Sequence, residues 1–157
     1  MILNTTFCVN NCNLLLRNIE ICDYNKGYLH LLKQLTHIEP DKITLDEFNK
    51  FIDSLNKNHR IFVIENTDIN TIIGTITVLI EGKIIHNMGL VCHIEDVVVN
   101  DKFRGFGIGK ILLETALNYA ISEKCYKTIL DCSEENVGFY AKNGLFTVKG
   151  KQMAVYH

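Results

Sequence analysis

One segment of the chain places a glycine-rich turn between an apolar strand and an amphipathic helix. The strand reads Ile94-Glu95-Asp96-Val97-Val98-Val99, and the turn reads Arg104-Gly105-Phe106-Gly107-Ile108-Gly109-Lys110. After the turn, apolar residues recur at helical spacing over 108–123, and a further apolar stretch covers 126–131. A strand, a helix and a second strand in this order form a right-handed crossover, so strands 92–99 and 126–131 are predicted to be parallel neighbours. The segment therefore predicts an α/β fold.

The glycine turn has the properties of a binding site for phosphate groups. Small residues let backbone N–H groups face a ligand, and the helix dipole and free first-turn donors favour negative charge. Arg104 and Lys110 add positive charge. Lys110 is followed by Ile111 instead of the Ser or Thr of a nucleotide-hydrolysing loop, and the G-x-G-x-G spacing differs from that of a dinucleotide site. A ligand-free surface turn is the alternative.

Outside this segment, residue patterns predict the remaining helices and strands of a single domain spanning 1–157. Asp23 is expected to cap a first helix, and Thr44 with Glu47 forms a capping box that opens a helix ending near Asn56. Further strands are predicted at 13–19, 60–65 and 71–80, a loop at 82–90, a short helix near 137–142 and a terminal strand pair around 145–156. The prediction is a central, twisted, mixed β-sheet flanked by helices.

Composition restricts the class of protein. The net charge is −2, and the 16 basic residues are spread along the chain, which argues against a nucleic-acid partner. The six cysteines form no C-x-x-C pair, so a reducing compartment is expected. No stretch reaches the ~20 apolar residues that cross a bilayer, and the amino terminus lacks the pattern of a secretory signal. We therefore expect a cytoplasmic protein without a membrane partner.

Several segments together resemble one enzyme family. The stretch from Arg104 to Gly109 fits the pattern Arg/Gln-x-x-Gly-x-Gly/Ala. The other segments are Lys83-Ile84-Ile85-His86, His93-Ile94-Glu95-Asp96, the stretch 125–136, Phe139-Tyr140 and Gly144-Leu145-Phe146. Over residues 71–154 the chain strongly resembles the GNAT acetyltransferase superfamily, and within it the glucosamine 6-phosphate N-acetyltransferases. Over the first 70 residues the likeness is weak.

The resemblance implies a GNAT fold and acetyl-CoA as co-substrate, with no metal. It implies direct acetyl transfer in a ternary complex to the 2-amine of D-glucosamine 6-phosphate, a sugar phosphate used for UDP-N-acetylglucosamine synthesis. It also implies a homodimer, and a cleft between strands 92–99 and 126–131 that holds the pantetheine arm. The alternatives are a GNAT enzyme for another small amine or a peptide amine, and a non-catalytic acetyl-CoA-binding module.

The resemblance also assigns roles to residues. Tyr140 would protonate the leaving thiolate, Glu95 would act as a base through water or orient the substrate, and Asp131 would orient the amine. Tyr140 as a core aromatic beside Phe139 is the alternative. The expected coenzyme contacts are Val97, Val98, Val99, Arg104, Gly105, Phe106, Gly107, Ile108, Gly109, Lys110, Asn136 and Tyr140. A backbone N–H near Val97 would stabilise the oxyanion. Asn136 could instead, or in addition, cap the helix that begins at Val137.

The acceptor site implied by the resemblance carries both charge signs. Its residues would be Thr36, Lys83, His86, Glu95, Asp96, Asp131 and Tyr156. Because neighbours on a regular strand point to opposite faces, only one of Glu95 and Asp96 is expected to face the substrate. Family members supply a carboxyl-terminal arginine for the phosphate, whereas this chain has Tyr156 at that place. His86 as a packing histidine is the alternative to a phosphate ligand.

Overall fold

The computed structural model describes residues 4–155, and a six-stranded sheet forms its centre. The strands are β1 (Thr5–Val9), β2 (Cys12–Asn18), β3 (His59–Asn66), β4 (Thr71–Gly82), β5 (Leu90–Val99) and β6 (Cys125–Leu130). Their order in the sheet follows the order of the chain. Strands β1 to β5 pair antiparallel, and β6 pairs parallel with β5. The predicted mixed sheet and its parallel pair are confirmed.

Five α-helical segments accompany the sheet. They are α1 (Tyr28–Leu32), α2 (Leu45–Ser54), α3 (Ile85–Met88), α4 (Ile108–Ser122) and α5 (Val137–Gly144). Helix α2 begins at the predicted capping box, in which Thr44 and Glu47 exchange side-chain and backbone hydrogen bonds. Within the described residues, no helix combines the length and the apolar character that crossing a bilayer requires.

The sheet separates two apolar cores. On one face, α4 packs through Leu112, Leu113 and Ala116 against alternate residues of the strands, such as Phe62 and Ile94. On the other face, α1 and α2 pack through side chains such as Leu29, Leu31 and Phe48 against Ile61 and Val63. Because successive residues of a strand point to opposite faces, β3 supplies both cores. The loops that follow β4, β5 and β6 therefore extend from a sheet that is packed on both faces.

The predicted helix cap at Asp23 is wrong. Asp23 lies inside a 3₁₀ helix, Ile21–Lys26, and its carboxylate is fully buried against the guanidinium of Arg17, with N–O distances of 2.6 and 2.7 Å. Glu65 accepts a further hydrogen bond from Arg17 and one from Lys26. A buried arginine on β2 requires carboxylate partners, and this requirement determines the position of Asp23.

The predicted ends of the chain are also partly wrong. No strand forms among the described residues 145–155, so the predicted terminal strand pair is absent there, and Tyr156 lies outside the described residues. The predictions did not include strand β1, which pairs with β2. The predicted loop 82–90 is confirmed, and its single turn α3 is irregular, since His86 and Asn87 have left-handed backbone angles. The helix predicted over 108–123 and the short helix near 137–142 are confirmed as α4 and α5.

Candidate active site

A β-bulge in β5 brings two adjacent carboxylates onto one face of the sheet. Glu95 pairs with Thr77 and Val98 pairs with Thr75, so β5 has one residue more than β4 in this interval. The extra residue gives Asp96 a left-handed backbone with φ of +49°. Glu95 and Asp96 both line the same cavity, so the expectation that only one of them faces this side of the sheet is wrong. The regular alternation of a strand does not hold across a bulge.

Two neighbouring carboxylates act on Glu95. The pKa of Glu95 is raised, first by partial burial and then by the negative charges of Asp96 and Asp131, while His93 opposes the shift. Asp131 directly follows β6, whose last pair with β5 joins Ile94 to Leu130. The sheet therefore gathers Glu95, Asp96 and Asp131, and Glu95 holds a proton more readily than an ordinary glutamate.

The pairing of β5 with β6 ends where these carboxylates begin. Their ladder runs from Leu90–Cys125 to Ile94–Leu130, and β5 then continues to Val99 while β6 ends. Among residues 4–155, the stretch 95–99 thus has a partner strand on the β4 side only. Backbone groups on the open side need hydrogen-bond partners from elsewhere, and an extended ligand with amides can supply them. Val97, Val98 and Val99 lie along this opening.

The glycine turn ends at the exposed amino terminus of α4. Gly105 and Gly107 have φ of +83° and +81°, and a Cβ at either position would meet nothing within 4 Å, so these glycines serve backbone conformation. Gly107 occupies the cap position of α4 and has no side chain to satisfy the first-turn amides. The Nε of Arg104 donates to the carbonyl of Val99 at 3.1 Å, which fixes the turn to the end of β5. The remaining turn residues, Phe106, Ile108, Gly109 and Lys110, surround the same helix end.

Helix α5 carries Tyr140 and packs beside the glycine turn. The Phe139 ring lies where a Cβ on Gly109 would come within 3.1 Å, so the missing side chain allows α5 to approach. Tyr140 is half-buried, with its ring 5.1 Å from that of Phe139 and 6.2 Å from that of Phe146. Burial, and secondly the nearby Cys132, raises its pKa, so the phenol keeps its proton.

Asn136 precedes α5, at the position predicted for a cap. Its Nδ2 donates to the hydroxyl of Ser133 at 2.9 Å, and its side chain makes no capping hydrogen bond. The side chain therefore stabilises the 3₁₀ turn Glu134–Asn136 in front of the helix.

Lys83, which is predicted to bind the phosphate of the substrate, has a carboxylate partner. Glu81, near the end of β4, accepts from the ammonium of Lys83 on one oxygen and pairs with the His93 imidazole at 2.9 Å on the other. These contacts, that of Lys83 first, lower the pKa of Glu81. The sequence analysis did not identify Glu81, although its spacing of two from Lys83 is a signal that both residues share one face at the strand end.

The loop between β4 and β5 has an unusual backbone. His86, Asn87 and Met88 all have φ between +55° and +61°. The His86 ring lies 4.3 Å from the ring of Tyr126 on β6, and a Cβ on Gly89 would clash with that tyrosine at 2.9 Å. His86 is thus exposed and held against β6. Thr36 lies in the turn after α1, and its neighbour Gln34 accepts a hydrogen bond from the Asp101 amide at 2.8 Å.

A cavity of about 470 Å³ opens beside the carboxylates. It lies between the sheet and the helices α1 and α2, and Glu95, Asp96 and Thr77 lie at its wall on the sheet. Most of the remaining lining is apolar, including Leu32, Ile38 and Phe48. The sequence did not predict this cavity, because its walls come from six separate segments.

The chain matches the sequence model of the acetyltransferase (GNAT) family over residues 16–145. The chain belongs to the GNAT acetyltransferase family. It is 41% identical to the glucosamine 6-phosphate N-acetyltransferase of Arabidopsis thaliana over 144 residues, which cover 90% of this chain and 95% of that protein. It is 38% identical to glucosamine 6-phosphate N-acetyltransferase 1 of Dictyostelium discoideum, over 89% and 88% of the two chains.

A solved structure agrees with this assignment to the GNAT family. The crystal structure of glucosamine-6-phosphate N-acetyltransferase from Arabidopsis thaliana superimposes with a TM-score of 0.87 at 40% identity, covering 91% of this chain and 97% of that one. Among the described residues, no group of three or more His, Cys, Asp or Glu side chains is arranged to hold a metal ion. The six cysteines of this GNAT chain are all free.

Proposed function

We propose that this GNAT enzyme transfers the acetyl group of acetyl-CoA to the 2-amine of D-glucosamine 6-phosphate. The products are N-acetyl-D-glucosamine 6-phosphate and CoA, and the reaction takes place in the cytoplasm on the route to UDP-N-acetylglucosamine. One observation carries the proposal: the opening between β5 and β6 has the uncapped amino terminus of α4 at one end and three carboxylates at the other. The names of the Arabidopsis and Dictyostelium relatives support the choice of acceptor.

The donor site uses backbone groups. Amides at the start of α4, with Arg104 and Lys110 nearby, would bind the diphosphate of the coenzyme. The pantetheine arm would then lie along 95–99 and complete the open strand edge. This arrangement directs the thioester towards the bulge and towards α5. Lys110 also lies 3.7 Å from Glu114, an exposed pair that a phosphate can replace at little cost.

The acceptor site uses side chains. Glu95, Asp96 and Asp131 would bind the ammonium and hydroxyl groups of the sugar, and Lys83 and His86 would bind its phosphate. Lys83 is held by Glu81, which limits the conformations of its long side chain before the substrate arrives. Thr36 would contact the sugar from the turn after α1. Tyr156, assigned to the phosphate by resemblance, stays a prediction.

The chemistry requires a neutral amine, a stabilised oxyanion and a protonated leaving group. Glu95, whose pKa is raised, would accept the amine proton directly or through water, and Asp131 would orient the nitrogen. A backbone N–H at Val97 would donate to the oxyanion as the nitrogen attacks. The C–S bond then breaks, and Tyr140, which keeps its proton in this environment, would donate it to the sulfur.

The active form is proposed to be a homodimer. The described tail 145–155 leaves four large apolar side chains at least 73% exposed: Leu145, Val148, Met153 and Val155. The edge strand β6 adds Tyr126 and Ile129, which are also exposed. A soluble chain rarely leaves so many apolar groups uncovered, and a second copy of the chain would bury them.

An acceptor panel tests the reaction. Thiol release from acetyl-CoA is measured with glucosamine 6-phosphate, glucosamine, spermidine and a peptide amine. We expect the highest kcat/KM with the phosphorylated sugar, since Lys83 and His86 recognise the phosphate. Preference for another amine would contradict the proposed acceptor, and no thiol release with any of them would favour a binding module.

Tyr140→Phe tests the assignment of the acid. The substitution keeps the aromatic packing with Phe139 and Phe146 and removes only the hydroxyl. We expect kcat to fall ~10²-fold with little change in KM for acetyl-CoA, because loss of a positioned acid slows only the chemical step. Tyr119→Phe is the matched control, because it removes a hydroxyl that donates to the Lys57 carbonyl from the last turn of α4, outside this site. An unchanged kcat for Tyr140→Phe would remove Tyr140 from the mechanism.

A further inference from the structure

The cavity beside Glu95 and Asp96 differs chemically from a sugar phosphate site. Its volume of about 470 Å³ lies within the ~300–1,000 Å³ of small-molecule sites. The walls away from the sheet are made of aliphatic and aromatic groups, among them Leu29, Leu32 and Phe48. A glucosamine 6-phosphate ring carries a polar substituent on nearly every carbon and would leave those groups without hydrogen-bond partners here. The cavity is suited to an apolar molecule.

The charges around the cavity all favour a cation. Its described lining includes three carboxylates, Glu47, Glu95 and Asp96, and no lysine or arginine. His59 is the one other titratable base of that lining, and it stacks edge-on with Phe51 at 5.8 Å. A phosphate dianion would be repelled here, whereas an ammonium group would be attracted to the carboxylates.

We propose that this cavity gives the enzyme a second class of acceptor, primary amines with an apolar alkyl or arylalkyl body. The ammonium would lie at Glu95 and Asp96, and the apolar body would pack on Leu32, Ile38 and Phe48. This inference rests on the proposed function, because it uses the same acetyl donor. The cavity and the donor cleft share the bulge of β5, so an amine held by Glu95 lies at the site assigned to the reacting sugar amine.

The reaction balances without a further reactant. The ammonium passes one proton to Glu95 and becomes the neutral amine. A C–N bond forms at the thioester carbonyl, the C–S bond breaks, and Tyr140 supplies the proton of the CoA thiol. As the C–S bond breaks, the nitrogen loses a second proton to solvent, Tyr140 regains a proton from solvent, and Glu95 releases to solvent the proton that it accepted. The net change converts an ammonium ion and acetyl-CoA into an N-acetylamine, CoA and one proton.

The experiment compares three acceptors with the full-length enzyme. Thiol release and the acetylated product, by mass spectrometry, are measured for glucosamine 6-phosphate, 2-phenylethylamine and ethanolamine. We expect N-acetyl-phenylethylamine to form, with a kcat/KM below that of the sugar phosphate and at least about tenfold above that of ethanolamine, which has the ammonium without the apolar body. Equal rates with phenylethylamine and ethanolamine would overturn the inference.

A cavity-filling variant tests whether the apolar amine binds in this cavity. Ile38→Trp places a large ring in the cavity, and we expect it to lower kcat/KM for 2-phenylethylamine about tenfold or more while glucosamine 6-phosphate turnover persists. Ile69→Trp adds the same ring at an exposed site in the β3–β4 turn and is expected to change neither acceptor. If thermal unfolding shows that Ile38→Trp is not folded, Leu79→Phe is used instead, since it fills the same cavity from the sheet.

The outcomes separate the two proposals. Acetylation of glucosamine 6-phosphate with none of 2-phenylethylamine overturns this inference alone. An equal loss of both activities in Ile38→Trp also overturns it, since filling the cavity would then disturb the sugar site instead of removing a separate binding site for the apolar amine. No product with either acceptor overturns the proposed function, and this inference with it.

Discussion

At the scale of single residues, Glu95 combines a proposed catalytic role with a cost in folding free energy. Its carboxylate lies beside Asp96 and Asp131, and burial and this repulsion raise its pKa. The folded chain therefore binds the Glu95 proton more tightly than the unfolded chain does. Ionisation of Glu95 costs folding free energy at neutral pH, and the cost disappears as the pH falls below the ordinary range of a glutamate.

Glu95→Gln is expected to raise stability and lower activity. At pH 7.5 the variant should have a higher Tm than the wild type, and the difference should vanish in acid, where Glu95 is protonated in both states. Acetylation of glucosamine 6-phosphate should fall because glutamine cannot accept the amine proton. Thermal unfolding from pH 4 to 8 and initial rates check both effects. Glu134→Gln, at an exposed position after β6, controls for the lost charge, and a Tm for Glu95→Gln below that of the wild type at pH 7.5 would contradict the argument.

Lys83 gives a second test at this scale. Lys83→Ala should raise KM for glucosamine 6-phosphate by about tenfold or more, as expected for loss of one charged hydrogen bond, and leave KM for acetyl-CoA nearly unchanged. Lys42→Ala serves as the matched control. It removes an exposed lysine that lies outside the proposed acceptor site and pairs with Glu39. Steady-state kinetics with each substrate varied in turn measure both constants. Equal changes in the two constants would place Lys83 outside the acceptor site.

At the scale of helices and strands, local sequence patterns correctly predicted the elements with regular geometry. The capping box of α2, the long helix α4 and the parallel pair of β5 and β6 all follow from local spacing and chain order. The bulge at Asp96 could not be predicted, because it depends on the register that β4 imposes on β5. Asp23 was misassigned because its partner, Arg17, is buried on another element. Likewise, the cavity depends on tertiary packing that no local pattern encodes.

The turn into α4 allows a test of one element. Gly107→Ala forces an alanine into φ near +81°, which costs about 1–2 kcal/mol of folding free energy and misplaces the first amides of α4. Gly27→Ala is the matched control, since Gly27 has φ of +78° and lies between the first 3₁₀ helix and α1. We expect similar losses of Tm in the two variants, and a raised KM for acetyl-CoA only in Gly107→Ala. Equal KM values in both variants would argue against the phosphate turn.

At the scale of the whole molecule, the exposed apolar tail predicts self-association. The tail 145–155 and strand β6 present apolar side chains that one copy does not cover, and Met153 is 95% exposed. Because Met153 contacts little within its own chain, Met153→Asp should leave the stability of the single chain nearly unchanged while placing a charge in the interface between copies. Sedimentation equilibrium should show a dimer for the wild type and a shift towards monomer for Met153→Asp. Ile69→Asp introduces the same charge at another exposed apolar residue, 55% accessible in the β3–β4 turn, and should remain dimeric. A monomeric wild type at assay concentrations, or equal dissociation of both variants, would show that the tail does not join two copies.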